Sequence, residues 1–186
     1  MSPLTDTPKI DVALEQRLCQ ACGFCCDGTL FVNVRIREAE PIDTYKKAGL
    51  RISDSTDGLT IMTQPCSEFR DQCCQTYHCR PLRCGEFRCR LLMRVAEEDM
   101  DESQALNVIE ITRQLRTEYS EVLLTIFPAF KTKALASTFR EIRKASRRLT
   151  GEALKTFRSK KKKIMALKIQ VQHSLDEHFY TNDTKT

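Results

Sequence analysis

Tryptophan is absent from this chain of 186 residues, and turn-forming residues are scarce, with six glycines and six prolines. Sandwiches and barrels built from many short strands need frequent turns, so this composition favours a helix-rich protein. The sequence also lacks any run approaching 18 consecutive apolar residues, which argues against a transmembrane helix. With 41% hydrophobic and 30% charged residues, the chain has the composition of a soluble helical protein.

The first 18 residues lack the basic segment and apolar run of a secretory signal. We therefore predict a cytoplasmic protein in a reducing compartment. In such a compartment, clustered cysteines bind metal or carry out redox chemistry more often than they form structural disulfides.

Cysteine is confined to the first half of the chain, and none follows residue 89. A disulfide scaffold would be expected to staple the long C-terminal part as well, whereas a metal site would not need to. The ten cysteines are Cys19, Cys22, Cys25, Cys26, Cys66, Cys73, Cys74, Cys79, Cys84 and Cys89. This distribution favours one localised metal-binding or redox region.

Basic residues are concentrated at the other end of the chain. Residues 131–172 contain 14 Lys or Arg residues and two acidic ones, a net charge of +12, so the remainder of this +5 chain carries −7. The densest run is "RSKKKK" at 158–163. It is either a solvated helix face or a contact for nucleic acid or an anionic membrane.

The chain is predicted to have a cysteine-rich module at 1–95, a helical extension at 96–180 and a disordered tail at 181–186. In the module, alternating apolar residues predict a strand over 29–36, and an Asp-Gly turn precedes a second strand near 59–62. A short helix is expected to end near Gly49, and another to span 81–95.

The C-terminal half shows helical periodicity throughout. Helices are predicted from about residue 102 to Pro128, over about 131–149 and over about 152–180. The apolar stripe expected on the first of them consists of Val108, Ile111, Leu115, Tyr119, Val122 and Ile126. The predicted fold class is therefore α+β and predominantly helical, with a small cysteine-rich metal-binding module that contains a short β-hairpin, followed by three C-terminal helices.

The segment "CQACG" forms a C-x-x-C-G motif from Cys19, Cys22 and Gly23. Two cysteines at this spacing can ligate one metal from a tight turn, and glycine permits the positive φ that directs backbone N–H groups at a thiolate. Because this motif supplies two ligands, a tetrahedral site needs two more from the second cysteine segment, residues 66–89.

Adjacent cysteines cannot direct their side chains at the same point, because neighbours diverge by about 100° in a helix and alternate in a strand. One of Cys25 and Cys26 can join Cys19 and Cys22, and the other then faces a second centre or bridges two metals. The same reasoning applies to Cys73 and Cys74. The spacing favours more than one metal ion.

Thiolate clusters need compensating positive charge, and the second cysteine segment is rich in arginine. Arginine offers fixed donors to sulfur, so some of these residues are candidates to hydrogen-bond the ligands. Arg80 is the best of them. The alternative for each arginine is a surface charge on a helix.

These motifs together resemble the YkgJ-type cysteine-cluster family, the CxxCxxCC putative zinc- or iron-chelating domain. "CQACGFCC" matches its first element, and Cys66, Cys74, Tyr77, Arg80, Pro81, Cys84 and Cys89 match the later ones. The resemblance covers about residues 17–92. It implies metal ligation by Cys19, Cys22, Cys25, Cys26, Cys66, Cys74, Cys84 and Cys89, with Tyr77 and Arg80 close by. Cys73 and Cys79 are extra to the pattern and could be further ligands.

The predicted function is that of a metal-binding protein holding zinc or an iron–sulfur centre, in a structural role or as an accessory to a redox, modification or metal-handling pathway. Two alternatives remain: a nucleic-acid-associated zinc protein that uses the basic helices at 158–163, and a thiol redox enzyme. A protein partner could bind the C-terminal helices. The sequence contains no Ser-His-Asp or P-loop pattern, so we predict no enzymatic activity beyond the thiol cluster and assign no catalytic residue.

Overall fold

A computed structural model describes residues 10–181 of the protein. Most of this chain is helical, and the strands are short. The α-helices are α1 (Val12–Cys22), α2 (Ile42–Lys47), α3 (Leu82–Glu86), α4 (Arg90–Ala96), α5 (Glu102–Leu124), α6 (Leu135–Ser146) and α7 (Gly151–His178). Short 3-10 helices lie at Tyr77–Cys79 and Pro128–Thr132. The predicted disordered tail, 181–186, lies outside the described residues from 182 onward.

The strands form two small antiparallel sheets. The strands are β1 (Asn33–Arg35), β2 (Ile52–Asp54), β3 (Thr60–Thr63), β4 (Phe69–Arg70) and β5 (Cys73–Cys74). In the first sheet β3 is central, and Met62 pairs with Val34 of β1 and Ile52 of β2. The predicted strands over 29–36 and near 59–62 correspond to β1, which is shorter than predicted, and β3. The Asp-Gly turn, with Gly58 at φ 75°, joins β3 to β2 in a hairpin.

A single large hydrophobic core combines residues from both halves of the chain. Leu18, Phe24 and Leu91 of the cysteine-rich half pack in it with Ile109 of α5 and Val171 of α7. A smaller core lies under the three-stranded sheet and contains Ile36, Tyr45, Leu50 and Met62. The helical half is therefore the surface on which much of the cysteine-rich half is packed.

The predicted stripe of α5 is confirmed except at Ile111, which is exposed. Tyr119 and Ile126 are buried, and Val108, Leu115 and Val122 pack against the main core. The buried face also includes Ala105, Ile109 and Thr112. Thr112 can be buried because its hydroxyl donates to Val108 O (2.7 Å) and lies 2.6 Å from Ser174 Oγ. A polar residue is thus buried where α5 meets α7, which the apolar pattern does not predict.

The other helix predictions are mostly confirmed. Phe157, Ile164, Leu167, Val171 and Leu175 are buried along α7, as expected from their spacing. The predicted helix over 81–95 is wrong in one respect, since it is divided into α3 and α4. The intervening residues 87–89 leave the helical conformation, and Cys89 becomes the N-cap of α4.

Candidate metal centre

The first two cysteines of the motif lie on the last turn of α1, a helix that the sequence analysis did not predict. Cys19 and Cys22 are three residues apart and so share one face of the helix. Gly23 ends the helix at φ 71°, as expected. A Cβ atom there would lie 2.5 Å from the Phe69 ring, so a side chain would strain the backbone and also require this ring to move.

A tight turn after Gly23 separates Cys25 from Cys26. The N–H groups of Cys26 and Asp27 both donate to Gly23 O, at 2.9 and 3.0 Å. Cys66 N–H donates to Cys26 O at 2.8 Å, which fixes the second cysteine segment beside the first. The turn therefore places two neighbouring thiols in different surroundings.

Cys25 belongs with Cys19, Cys22 and Cys89, which we name the first thiol group. Burial of its sulfur, with a smaller effect from the nearby thiol of Cys89, raises the pKa of Cys19 to about 11, although the residue as a whole is exposed. Burial and then Cys89 also raise the pKa of Cys25, with smaller effects from Cys22, from the adjacent Cys26 and from Cys19. The four thiols are close enough to disfavour one another's ionisation.

Cys26 belongs with Cys66, Cys74 and Cys84, which we name the second thiol group. Burial raises the pKa of Cys26, and the next contributions come from Cys66, Cys74 and Cys84. Burial raises the pKa of Cys84 to about 12, again with Cys66 and Cys74 as the nearest contributors. The eight cysteines expected from the resemblance are thus brought together as two groups of four.

The two extra cysteines have different positions. The short hairpin β4–β5, whose turn residues Asp71 and Gln72 both have positive φ, carries Cys73 and Cys74 side by side. Cys74 faces the second thiol group, whereas the Cys73 thiol lies 3.9 Å from Cys74 O. Cys79 lies near Tyr45, whose pKa is raised to about 12 by burial, by its hydrogen bond to Glu40 and by nearby Cys79.

Backbone N–H groups are directed at several of the thiols. Burial raises the pKa of Cys22, and a hydrogen bond from Phe24 N–H acts against that increase. At Cys89, the N-cap of α4, burial likewise raises the pKa, and N–H groups of Leu91 and Leu92 act in the opposite direction. Such donors stabilise a thiolate without adding a charged side chain.

Two arginines place positive charge beside the first thiol group. Arg88 and Arg80 both act to lower the pKa of Cys19, and Arg80 also acts to lower that of Cys84. The Arg80 guanidinium is therefore close to both groups, and it lies over the Tyr77 ring at 4.0 Å. The buried carboxylate of Glu15 lies 3.0 Å from Arg88 and 3.9 Å from Arg80.

The eight thiols and Cys73 line one cavity of about 940 Å³. All ten cysteines are free, with no disulfide among them. Within residues 10–181, no group of three or more His, Cys, Asp or Glu side chains has the arrangement of metal ligands. The two groups are thus defined by their mutual electrostatic effects and their common cavity, and not by coordination geometry.

The donor set nevertheless suits a thiophilic metal. Four sulfur donors are the set that structural zinc and iron–sulfur clusters use, and each group supplies four. Burial disfavours ionised thiols, and a bound cation would reverse this effect by compensating their charge. The residues therefore fit zinc or an iron–sulfur cluster in their chemistry.

The buried carboxylate of Glu40 is hydrogen-bonded to the start of the helix that carries Cys84 of the second thiol group. Glu40 accepts hydrogen bonds from Arg37 N–H (2.7 Å), Leu82 N–H (2.7 Å) and the Tyr45 hydroxyl (3.0 Å). Leu82 begins α3, the helix that carries Cys84. Burial alone would raise the pKa of Glu40, but these hydrogen bonds outweigh it and lower the pKa.

Replacing this carboxylate, as in Glu40→Gln, is expected to lower the free energy of unfolding by about 1–3 kcal/mol at pH 7, because buried donors lose an ionised acceptor. Because folding lowers the pKa of Glu40, its contribution is complete above the ordinary value of 4.5 and is lost as the pH falls through the folded value. Urea unfolding of wild type and Glu40→Gln at several pH values between 7 and 3 measures the free energy of unfolding of each. The difference between wild type and variant should shrink below about pH 5; a constant difference would contradict the assignment.

Comparison with known protein families, with curated proteins and with solved structures gave no match to this chain. Across residues 10–181, no helix is both long enough and apolar enough to cross a membrane.

Proposed function

We propose that the protein is a metal-binding protein with two four-thiolate centres, each holding zinc or an iron–sulfur cluster. The observation that carries this proposal is the division of Cys25 and Cys26 between two groups, each completed by thiols from the second cysteine segment. When bound, the metal supplies the positive charge that eight clustered thiolates need. The resemblance to the YkgJ-type cysteine-cluster family supports the same assignment.

The protein's own residues hold and orient these ligands. α1 presents Cys19 and Cys22, the turn after Gly23 divides Cys25 from Cys26, and the interrupted helix after α3 presents Cys89. Arg80 and Arg88 partly neutralise the thiolates, and Glu15 holds both guanidinium groups. Hydrogen-bonded arginines and N–H groups of this kind tune and orient thiolate ligands.

A structural role fits the arrangement better than a catalytic one. Four thiolates close the coordination sphere of a metal ion, whereas a catalytic zinc keeps an open position. The centres would hold the short elements of the cysteine-rich half, which has only a small core of its own, against α5 and α7.

The thiol redox alternative is less favoured. A reactive cysteine needs a lowered pKa and solvent access, but burial raises the pKa of Cys22 and Cys25, which are both only partly exposed. Both C-x-x-C pairs of the motif also fall in one group. The raised pKa values of these thiols therefore suit metal ligation better than disulfide exchange.

Anaerobic purification followed by metal analysis and a visible spectrum tests the proposal. A colourless protein with two zinc ions per chain identifies zinc, and a brown protein with iron and acid-labile sulfide identifies iron–sulfur centres. In either case a thiol reagent should modify mainly Cys73 and Cys79 in the native protein. A metal-free protein in which all ten thiols react, or form disulfides, would contradict the proposal.

A further inference from the structure

The basic residues of the C-terminal half are mostly free of counter-charges. The two acidic residues of 131–172 are already paired, Glu141 with Lys133 and Glu152 with Lys155 (3.4 Å). Lys163 pairs with Glu118 of α5 at 2.7 Å. Five of the 14 cations have partners inside the protein: these three Lys side chains, Lys160 on Thr125 and Lys168 on Phe139 O.

Eight of the others lie exposed on α6, α7 and the turn between them. We name them the basic surface: Arg140, Arg143, Lys144, Arg147, Arg148, Arg158, Lys161 and Lys162. None has an ion-pair partner among residues 10–181. The surface therefore differs from the run "RSKKKK" of the sequence, because Lys160 and Lys163 are turned towards α5.

The basic surface follows one face of each helix. Arg140, Arg143 and Lys144 of α6 are spaced by three and four residues, and so are Arg158, Lys161 and Lys162 of α7. Lys168 Nζ donates to Phe139 O at 3.0 Å, which places one turn of α6 beside α7.

Helix stability does not account for this accumulation. Cations in the last turn of α6 interact favourably with its C-terminal carbonyls, but Arg158, Lys161 and Lys162 are in the interior of α7. Adjacent like charges repel and lower stability. Binding of an external polyanion would offset this repulsion between like charges.

We infer that the basic surface binds the phosphate backbone of a nucleic acid. Five of its eight cations are arginines, whose planar guanidinium groups match phosphate oxygens in pairs. An amphipathic membrane contact is less suitable, because Ile169 is the exposed large apolar residue on this part of the chain. This inference concerns other residues than the metal centres and does not depend on them.

Fluorescence anisotropy of the full-length, metal-loaded protein with labelled nucleic acid tests the inference. One probe is a DNA duplex of about 20 base pairs and the other an RNA strand of similar length, so that the two sources of phosphate are distinguished. We expect micromolar binding to at least one probe at about 50 mM salt. For six phosphate contacts to the duplex, log K should fall against log salt with a slope of about −5.

A triple variant, Arg147→Gln/Lys161→Gln/Lys162→Gln, should weaken binding on the order of tenfold or more and reduce the slope by about 3. The matched control, Arg35→Gln/Lys46→Gln/Lys47→Gln, removes the same charge from exposed positions of the cysteine-rich half and should change binding little. Lys161→Arg/Lys162→Arg should retain binding, which separates loss of charge from loss of fold.

Three results would overturn the inference. The first is the absence of binding to both probes at low salt, and the second is an equal effect of the two triple variants. The third is binding of the protein to vesicles containing phosphatidylserine without binding to either nucleic acid. Circular dichroism of each variant establishes that its helices are retained.

Discussion

Cys25→Ser and Cys26→Ser are each expected to remove one of the two metal centres, and not the same one. Cys25 is grouped with Cys19, Cys22 and Cys89, and Cys26 with three cysteines of the second segment. Serine has nearly the shape of cysteine but is a much poorer ligand for a soft metal. Metal analysis should therefore give about half the wild-type content for either variant, and the double variant should retain almost none.

The extra cysteines provide the matched control. Cys73→Ser and Cys79→Ser make the same chemical change at thiols that neither group contains, so the full metal content should be retained. Equal loss of metal from Cys73→Ser and Cys25→Ser would contradict the division into two groups. So would complete loss of metal from Cys25→Ser alone, since that result would indicate a single shared centre.

Phe24→Ala is expected to lower the free energy of unfolding by about 3–5 kcal/mol. Phe24 is 1% exposed, and its ring packs edge-on against that of Phe179 with the ring centroids 5.3 Å apart. Its backbone N–H is directed at the Cys22 thiol, and its carbonyl accepts from Leu30 N–H at 3.0 Å. The ring thus anchors the cysteine turn in the main core. Urea unfolding of the metal-loaded protein measures the loss.

Phe139→Ala separates a local effect on the metal site from a general loss of stability. Phe139 lies in the helical half and is partly buried, and its ring centroid is 5.4 Å from that of Tyr119. Both variants should be destabilised, but Phe24→Ala should release metal to a chelator faster. The same release rate from both variants at matched stability would show that Phe24 has no particular role in holding the turn.

The elements that could be predicted are those set by local pattern. The long helix α7 and its buried residues follow from spacing, and the hairpin β2–β3 from its Asp-Gly turn. The buried Thr112 could not be predicted, because its partner Ser174 is 62 residues away in the sequence. Helix α1 was not predicted from the sequence, because the spacing of its cysteines is typical of a tight turn and it contains few apolar residues.

The division of the thiols was predicted only in outline. Adjacency requires Cys25 and Cys26 to diverge, but it does not say which of the later cysteines completes each group. Those assignments depend on tertiary contacts, such as the hydrogen bond from Cys66 N–H to Cys26 O and the break before α4 that positions Cys89. The choice of Cys74 over Cys73 depends on the direction of the β4–β5 hairpin.

The position of Cys89 has a consequence for the order of assembly during synthesis. Arg90 N–H donates to Phe179 O at 3.3 Å, and its guanidinium donates to the carbonyls of Asp176 and Glu177. The segment that begins at Cys89 is therefore anchored by the last turn of α7. The second thiol group is complete once residue 84 has emerged from the ribosome, whereas the first obtains this anchor only after residue 179 has emerged as well.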